Sequence, residues 1–354
     1  MPQPYGVLQG GGGRRTRRGG MRRGRRQAGP RRGWSGLGFA LLGVIVLGGV
    51  LLGLMAARAS GPTKIALRPQ KAARSHELST AGLRSQYGTL LVPSAERVNV
   101  RPRLGLRSGM LFDVRTGEVL WQRDQGRVLP IASLTKMMTA LVVVAHSRPS
   151  DRVLITPQAV HFTGSGVGLL PRGKHVRELA LLYGLLLPSG NDAAIALAQH
   201  VAGTQQAFIG KMNEQARQLG LSCTHFTTVS GVIDQGNHSC AADLALLSHL
   251  ILQQPLLGRI VGSRSAIVPF PIKGGKLYLY NNNPLLVTAY PGTDGVKTGF
   301  TGAAGDCLVA AARHGRTWLG VVLLHSANPL VQAETLLGAG FAKFGSRGLP
   351  AGPS

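Results

Sequence analysis

A hydroxyl and an amine stand three residues apart in Pro130-Ile131-Ala132-Ser133-Leu134-Thr135-Lys136-Met137-Met138. On a helix, residues i and i+3 share a face, so coiling of this stretch brings Ser133 and Lys136 together. Pro130 suits a helix start and the run from Met137 to Ala145 is almost wholly apolar, which places Ser133 in an exposed first turn with Lys136 one turn deeper. A serine hydroxyl is a weak nucleophile until a neighbouring base takes its proton, and a lysine in apolar surroundings loses enough basicity to be that base. Taken alone, such a pair is far more often the start of an ordinary amphipathic helix.

Two further groups stand downstream. Pro188-Ser189-Gly190-Asn191-Asp192 reads as a tight turn that holds a hydroxyl and a carboxamide on one loop, or as a plain helix cap. Ser326-Ala327-Asn328 repeats the Ser-x-Asn spacing. In Asp294-Gly295-Val296-Lys297-Thr298-Gly299-Phe300-Thr301 a lysine, a hydroxyl and a glycine end a strand-like run. Lysine on an edge strand is often mere protection against aggregation. A glycine there also removes the side chain where a substrate backbone would lie along the strand, while Lys297 and Thr298 suit a carboxylate. Of the two Ser-x-Asn sites, only Ser189 falls between the Ser-x-x-Lys and the Lys-Thr-Gly.

The elements that must position these groups follow from the pattern. Ser108 to Phe112 and Glu118 to Gln122 read as a β-hairpin turning at Thr116-Gly117, and it leads into a helix that runs to about His146. After a Gly- and Pro-rich stretch, residues 176–187, 192–201 and 204–219 read as helices, followed by a loop over 221–237 and a helix over 241–251. Strand patterns return at 265–269, 276–280, 295–300, 306–313 and 317–325, and a helix over 330–344 closes the domain. This order predicts an α+β fold, an antiparallel sheet covered by helices, with an all-helical subdomain inserted between its strands.

The 354-residue chain has 40 Lys plus Arg against 14 Asp plus Glu, and the excess is uneven. Residues 1–60 hold eleven arginines and no acid; the first carboxylate is Glu77. Residues 1–33 are Gly- and Arg-rich with little to form a core, which predicts a basic disordered tail. Such a tail would suit nucleic acid, but Trp34 to Met55 is an uncharged apolar run of about the length that crosses a bilayer. With arginines on its N-terminal side, the positive-inside rule keeps the tail cytoplasmic and sends the rest across the cell membrane. Nucleic acid is therefore not the expected partner. Ala57-Arg58-Ala59 resembles a cleavage site, so residues 34–57 are expected to be a single-pass anchor or a signal segment, with secretion the outcome of cleavage near Ala59. Residues 58–103, with Pro62, Pro69, Pro93 and Pro102, read as an extracytoplasmic linker or as an extension packed on the domain. Residues 104–345 are expected to be the catalytic domain and 346–354 a disordered end.

The ordered trio resembles the penicillin-binding proteins and serine β-lactamases. With its flanks, Ile131 to Ala140, Leu182 to Ala194 and Gly295 to Gly299, it looks most like the low-molecular-weight D-alanyl-D-alanine carboxypeptidases, over about residues 104–345. The resemblance implies a β-lactamase/transpeptidase-like fold and a serine peptidase, a hydrolase that trims the terminal D-alanine from peptidoglycan stem peptides through an acyl-enzyme and binds β-lactam antibiotics. It implies Ser133 as nucleophile, Lys136 as its base and Ser189 as proton relay toward the departing amine. Asn191 would hold the acyl chain and Lys136, Lys297 would keep Lys136 neutral and Thr298 would bind the carboxylate. The backbone N–H groups of Ser133 and Phe300, beside Gly299, would hold the oxyanion. No metal or cofactor is expected.

The chain also departs from that pattern. Leu324-His325-Ser326-Ala327-Asn328-Pro329-Leu330 has no arginine where the family commonly offers one to the carboxylate. The C-terminal β-domain and amphipathic anchor of many relatives are not expected after Phe344. Cys223 and Cys240 flank a loop and suit a disulfide in an exported protein, Cys307 reads as a small core residue, and His175-x-x-Glu178 makes no convincing zinc set. Between Ser133 and Lys297 only Glu178 and Glu214 offer a deacylating glutamate, and both fall in helical patterns, which disfavours a β-lactamase. A D,D-endopeptidase on the same residues and a non-catalytic wall-binding membrane protein are the remaining alternatives.

Overall fold

The computed structural model describes residues 92–93, 97–100 and 104–344 apart from 169, 233 and 234. The basic tail, the apolar run of 34–57, most of the linker and the 346–354 end lie outside the described residues. One six-stranded sheet comprises β1 Val92–Pro93, β2 Ser108–Asp113, β3 Glu118–Arg123, β4 Thr293–Thr301, β5 Gly305–His314 and β6 Thr317–Ser326. Its order is β1-β3-β2-β6-β5-β4, antiparallel throughout except for β1 beside β3. Between β3 and β4 the chain inserts α1 Lys136–His146, α2 Glu178–Leu186, α3 Asn191–Ala202, α4 Gln205–Gln218 and α5 Ala241–Gln253; α6 Pro329–Phe344 follows β6.

The sheet separates two apolar cores, and the alternation of side chains along each strand feeds both. Met110, Phe112, Val309, Ala311, Val322 and Leu324 join the core under the inserted helices. Leu111, Leu308, Ala310, Val321 and Leu323 face the other way, onto Leu336, Leu337 and Phe341 of α6. Both faces being covered, β5 and β6 read as continuous apolar runs and not as alternating ones. At the centre of the helical side lies α1, apolar nearly all round and buried at Met137, Met138, Ala140, Val142 and Val143, as such a helix must be. Each of the larger of these side chains contributes about 1.5–3 kcal/mol through burial. The first residue of this apolar helix is Lys136, which burial of α1 carries into the interior.

Four local readings change. Ser133 does not open the α-helix; it sits in a 3-10 turn, Ala132–Thr135, and α1 starts at Lys136. Ala132 has φ 47°, which a regular helix cannot contain, so the turn is a separate element, and its three-residue period still places Ser133 over Lys136. The inserted block is not all helical, because His175–Arg177 pairs antiparallel with Arg152–Leu154 and α2 begins only at Glu178. A short helix, Pro255–Val261, follows α5 where proline starts a new turn. Order also begins before Leu104: β1 extends the sheet, the Val98 N–H donates to Leu120 O at 2.8 Å, and Val98 is buried against the α6 side. Val92–Pro93 and Val98 thus lie against the domain, the arrangement of the linker's second reading.

Candidate active site

The turn that carries Ser133 is held from three directions. Thr135 Oγ1 donates to Ala132 O at 2.8 Å, Asn237 Nδ2 donates to Thr135 Oγ1 at 2.8 Å, and β4 lies alongside. Gly299 is what lets β4 approach: a Cβ there would stand 3.0 Å from both Ile131 O and the Ser133 nitrogen. The glycine therefore clears space for the nucleophile's own backbone, where the sequence suggested space for the substrate's.

Beneath the hydroxyl, Lys136 is fully buried, with its Nζ 2.9 Å from Ser133 Oγ, 2.7 Å from Asn191 Oδ1 and 2.8 Å from Ser230 O. Burial, and next the Lys297 ammonium, hold this amine well below the ordinary lysine range, with Asp192 pulling weakly the other way. A neutral amine has two N–H groups and one lone pair. The two carbonyl oxygens take the N–H groups, which leaves the lone pair for the Ser133 hydroxyl hydrogen. The geometry is that of a general base in place.

Ser189 and Asn191 come from the bend between α2 and α3. Ser189 has φ 66°, is buried, and its hydroxyl has no hydrogen-bond partner. Such strain persists only where the surroundings impose it. The bend is pinned by Gly190 N–H to Gly184 O at 2.9 Å and by Asn282, whose N–H donates to Leu187 O and whose Nδ2 donates to Pro188 O. Asn191 Nδ2 donates to Thr163 O at 2.6 Å, which fixes its Oδ1 toward Lys136. Asp192 turns inward and accepts from the Val167 and Gly168 N–H groups, so it holds the 163–168 loop under the site. The other Ser-x-Asn is structural at its serine: Ser326 Oγ donates to Gln332 Oε1 at 2.7 Å.

Lys297, Thr298 and Phe300 lie on β4, an edge of the sheet among the described residues. Ser133, Ser189, Thr298 and Gly299 line one cleft of about 450 Å³, to whose wall Asn328, Pro329 and Leu330 also contribute. Lys297 stands behind the wall, buried, donating to Thr298 O at 2.9 Å; burial brings its amine down to about 7. The Phe300 side chain is exposed, consistent with a role for its backbone alone. All eight site residues expected from the sequence gather here. Ser165, Asn282 and the Ser230 carbonyl were not anticipated. A backbone carbonyl has no sequence signature; Asn282 carries only the cue of a polar run between the strand Lys276–Tyr280 and the short helix Pro284–Val287.

Ser230 reaches Lys136 from a loop whose ends are joined by the Cys223–Cys240 disulfide. Cys307 is a buried thiol at the cleft that donates to Ala304 O at 3.7 Å. Neither glutamate weighed for deacylation reaches the cleft: Glu214 pairs with Arg217 on the surface of α4, and Glu178 is buried at the start of α2.

Fold and site together define a class: a serine–lysine site set between an antiparallel sheet and an inserted helical layer. Residues 96–328 match the D-alanyl-D-alanine carboxypeptidase family. The chain is 33% identical over 228 residues to D-alanyl-D-alanine carboxypeptidase DacF of Bacillus subtilis, which covers 63% of this chain and 58% of the relative's own length. It is 34% identical over 247 residues to a D-alanyl-D-alanine endopeptidase of Pseudomonas aeruginosa, 67% of this chain and 79% of that one. The crystal structure of D-alanyl-D-alanine carboxypeptidase from Mycobacterium tuberculosis superposes with a TM-score of 0.65 at 32% identity, over 74% of this chain and 98% of that one. The chain belongs to the D-alanyl-D-alanine carboxypeptidase family, among the low-molecular-weight penicillin-binding proteins.

Proposed function

We propose that the protein is a serine D-alanyl-D-alanine carboxypeptidase acting on peptidoglycan stem peptides. The observation that carries this is the Ser133 hydroxyl 2.9 Å from a buried Lys136 amine whose N–H groups are already engaged. Ser133 Oγ attacks the carbonyl of the penultimate D-alanine as Lys136 takes its proton. The Ser133 and Phe300 N–H groups stabilise the oxyanion, each such donor being worth about 10²- to 10³-fold in rate. The proton passes through Ser189, whose hydroxyl is free to turn, to the departing D-alanine amine. Thr298 binds the terminal carboxylate in the potential of Lys297, and water then releases the acyl group from Ser133. A β-lactam follows the same path and stays on Ser133.

The full chain and its Ser133→Ala variant, incubated with a labelled penicillin and with a peptide ending in D-Ala-D-Ala, test this. An adduct and free D-alanine from wild type alone are expected; a variant that labels as wild type does removes Ser133 as the nucleophile.

Cleavage of cross-links by the same residues is the second reading. It is favoured by the neutral wall at Asn328, Pro329 and Leu330, which places no arginine on a terminal carboxylate, and by the likeness to an endopeptidase. Penicillin labelling with release of cross-linked fragments and no free D-alanine selects it.

For the N-terminal part we propose residues 1–33 as a cytoplasmic tail, 34–57 as a single-pass anchor and 58 to about 91 as an extracytoplasmic tether. The arginines before an apolar run of bilayer length support this. Deletion of 34–55 is expected to move the protein from the membrane fraction to the soluble fraction; unchanged sedimentation contradicts the anchor.

A further inference from the structure

Along α3, about 13 Å beyond Asn191 at 1.5 Å per residue, His200 meets two carboxylates that the proposed reaction does not use. Its Nε2 lies 3.7 Å from Asp151 Oδ2 and 3.9 Å from Glu178 Oε2. One ligand atom from each of the three residues lies within 4.8 Å of the others.

Glu178 sets this cluster apart from a surface group of charges. It is fully buried, and neither of its carboxylate oxygens has a hydrogen-bond partner. Ser147 borders it, but that hydroxyl donates to Val143 O at 2.9 Å. A carboxylate removed from water is normally held by donors or by a metal ion, and here the space in front of it contains an imidazole nitrogen and a second carboxylate. One imidazole and two carboxylates are a donor set for a zinc-type divalent cation. Tetrahedral bonds of about 2.0–2.2 Å put ligand atoms about 3.3–3.6 Å apart, so the two histidine–carboxylate pairs close by a few tenths of an ångström, while the two carboxylates, within 4.8 Å of each other, draw together by at most about 1.5 Å.

The supports are built in as well. The Arg148 N–H donates to Asp151 Oδ2 at 3.0 Å, which fixes that carboxylate, and the Glu178 N–H donates to Asp151 O at 2.9 Å, which holds the two backbones side by side. His200 and Asp151 are 26% and 35% exposed, an open side for the ion to enter and for a water as fourth ligand. His175, the histidine whose spacing to Glu178 first drew notice, is exposed on its strand and is not one of the three.

We propose that Asp151, Glu178 and His200 bind one divalent cation of the zinc type, which ties the loop after α1 to the start of α2 and the end of α3. This does not depend on the role given to Ser133. The test is titration of the chelator-stripped full chain with zinc chloride by calorimetry and with cobalt chloride by visible absorption, alongside His200→Gln and Glu178→Gln. One equivalent of zinc, a zinc-dependent rise in melting temperature, the visible band of tetrahedral cobalt, and at least tenfold weaker binding by each variant are expected. His200 is partly exposed, so His200→Gln keeps the test decisive where Glu178→Gln fails to fold. Penicillin labelling that is equal in wild type and His200→Gln shows that the variant's site is otherwise intact. Zinc uptake and cobalt spectrum unchanged in His200→Gln, or no zinc-dependent rise in melting temperature in wild type, overturns the proposal and leaves a histidine–carboxylate cluster only.

Discussion

Lys136 and Lys297 occupy one buried neighbourhood, and the pull of Asp192 toward a charged Lys136 ranks behind burial and the Lys297 charge. Burial lowers both, and the Lys297 charge lowers Lys136 further. Lys297→Met removes that neighbour, so Lys136 becomes more basic and the acid limb of penicillin acylation moves to higher pH; an unmoved limb in a rate–pH profile contradicts the coupling. The same variant is expected to be more stable. A folded-state value of about 7 against an ordinary 10.5 means that between those pH values the unfolded chain binds a proton that the folded chain does not. The contribution of this group to stability therefore rises with pH across that window and is at its most unfavourable at and below about pH 7. Melting at pH 7 should rise by about 2–4 °C for each kcal/mol so recovered, while activity falls. Lys136→Arg tests the base itself: a guanidinium keeps its proton, and acylation should fall by about 10²- to 10⁴-fold. At this scale the sequence was informative where chemistry needs side chains. Ser133 and Lys136 were visible as an i, i+3 pair, whereas the Ser230 carbonyl that completes the environment of Lys136 is a backbone atom any residue supplies.

Strand β4 and the 3-10 turn meet at Gly299, and the fit is close enough to be tested by one methyl group. Gly299→Ala puts a Cβ 3.0 Å from the Ser133 nitrogen, forcing the turn and the strand apart. Acylation is expected to fall about 10- to 100-fold with a stability loss of about 1–3 kcal/mol. Gly302→Ala, where nothing lies within 4 Å, is the control and should leave both unchanged. Equal behaviour of the two variants in labelling kinetics would show that the contact does not matter. Element type and order were readable where the pattern was long: continuous apolar runs in β5 and β6, and a helical period in α6. Short elements escaped: the Val176 stretch has a helix-compatible sequence but is claimed by Arg152–Leu154, and the Ser133 turn is set by the positive φ of Ala132.

Across the whole domain, the contacts that define the site close long loops. The Cys223–Cys240 bond, 17 residues apart in sequence, holds the loop that brings Ser230 to Lys136. Replacing both cysteines by alanine is expected to cost about 3 kcal/mol, or about 6–12 °C in melting temperature, with slower acylation. A full melting temperature and normal labelling would make the bond incidental. The α+β architecture and the helical insertion were legible from the order of strands and helices. The true start of the domain was not, because Val92–Pro93 and Val98 join the sheet and core through a few residues in a polar, proline-bearing stretch too short to show a period. The neighbours of Lys136 lie 3, 55 and 94 residues away in the chain, at residues 133, 191 and 230. In an unfolded or half-assembled chain the same lysine is an ordinary, protonated cation and the same serine an inert alcohol. Reactivity is thus a property that arrives last, with the completed tertiary structure. Under the proposed function, a fluorescent penicillin added to newly made protein is expected to count the molecules that have finished folding, whatever the total amount of chain present.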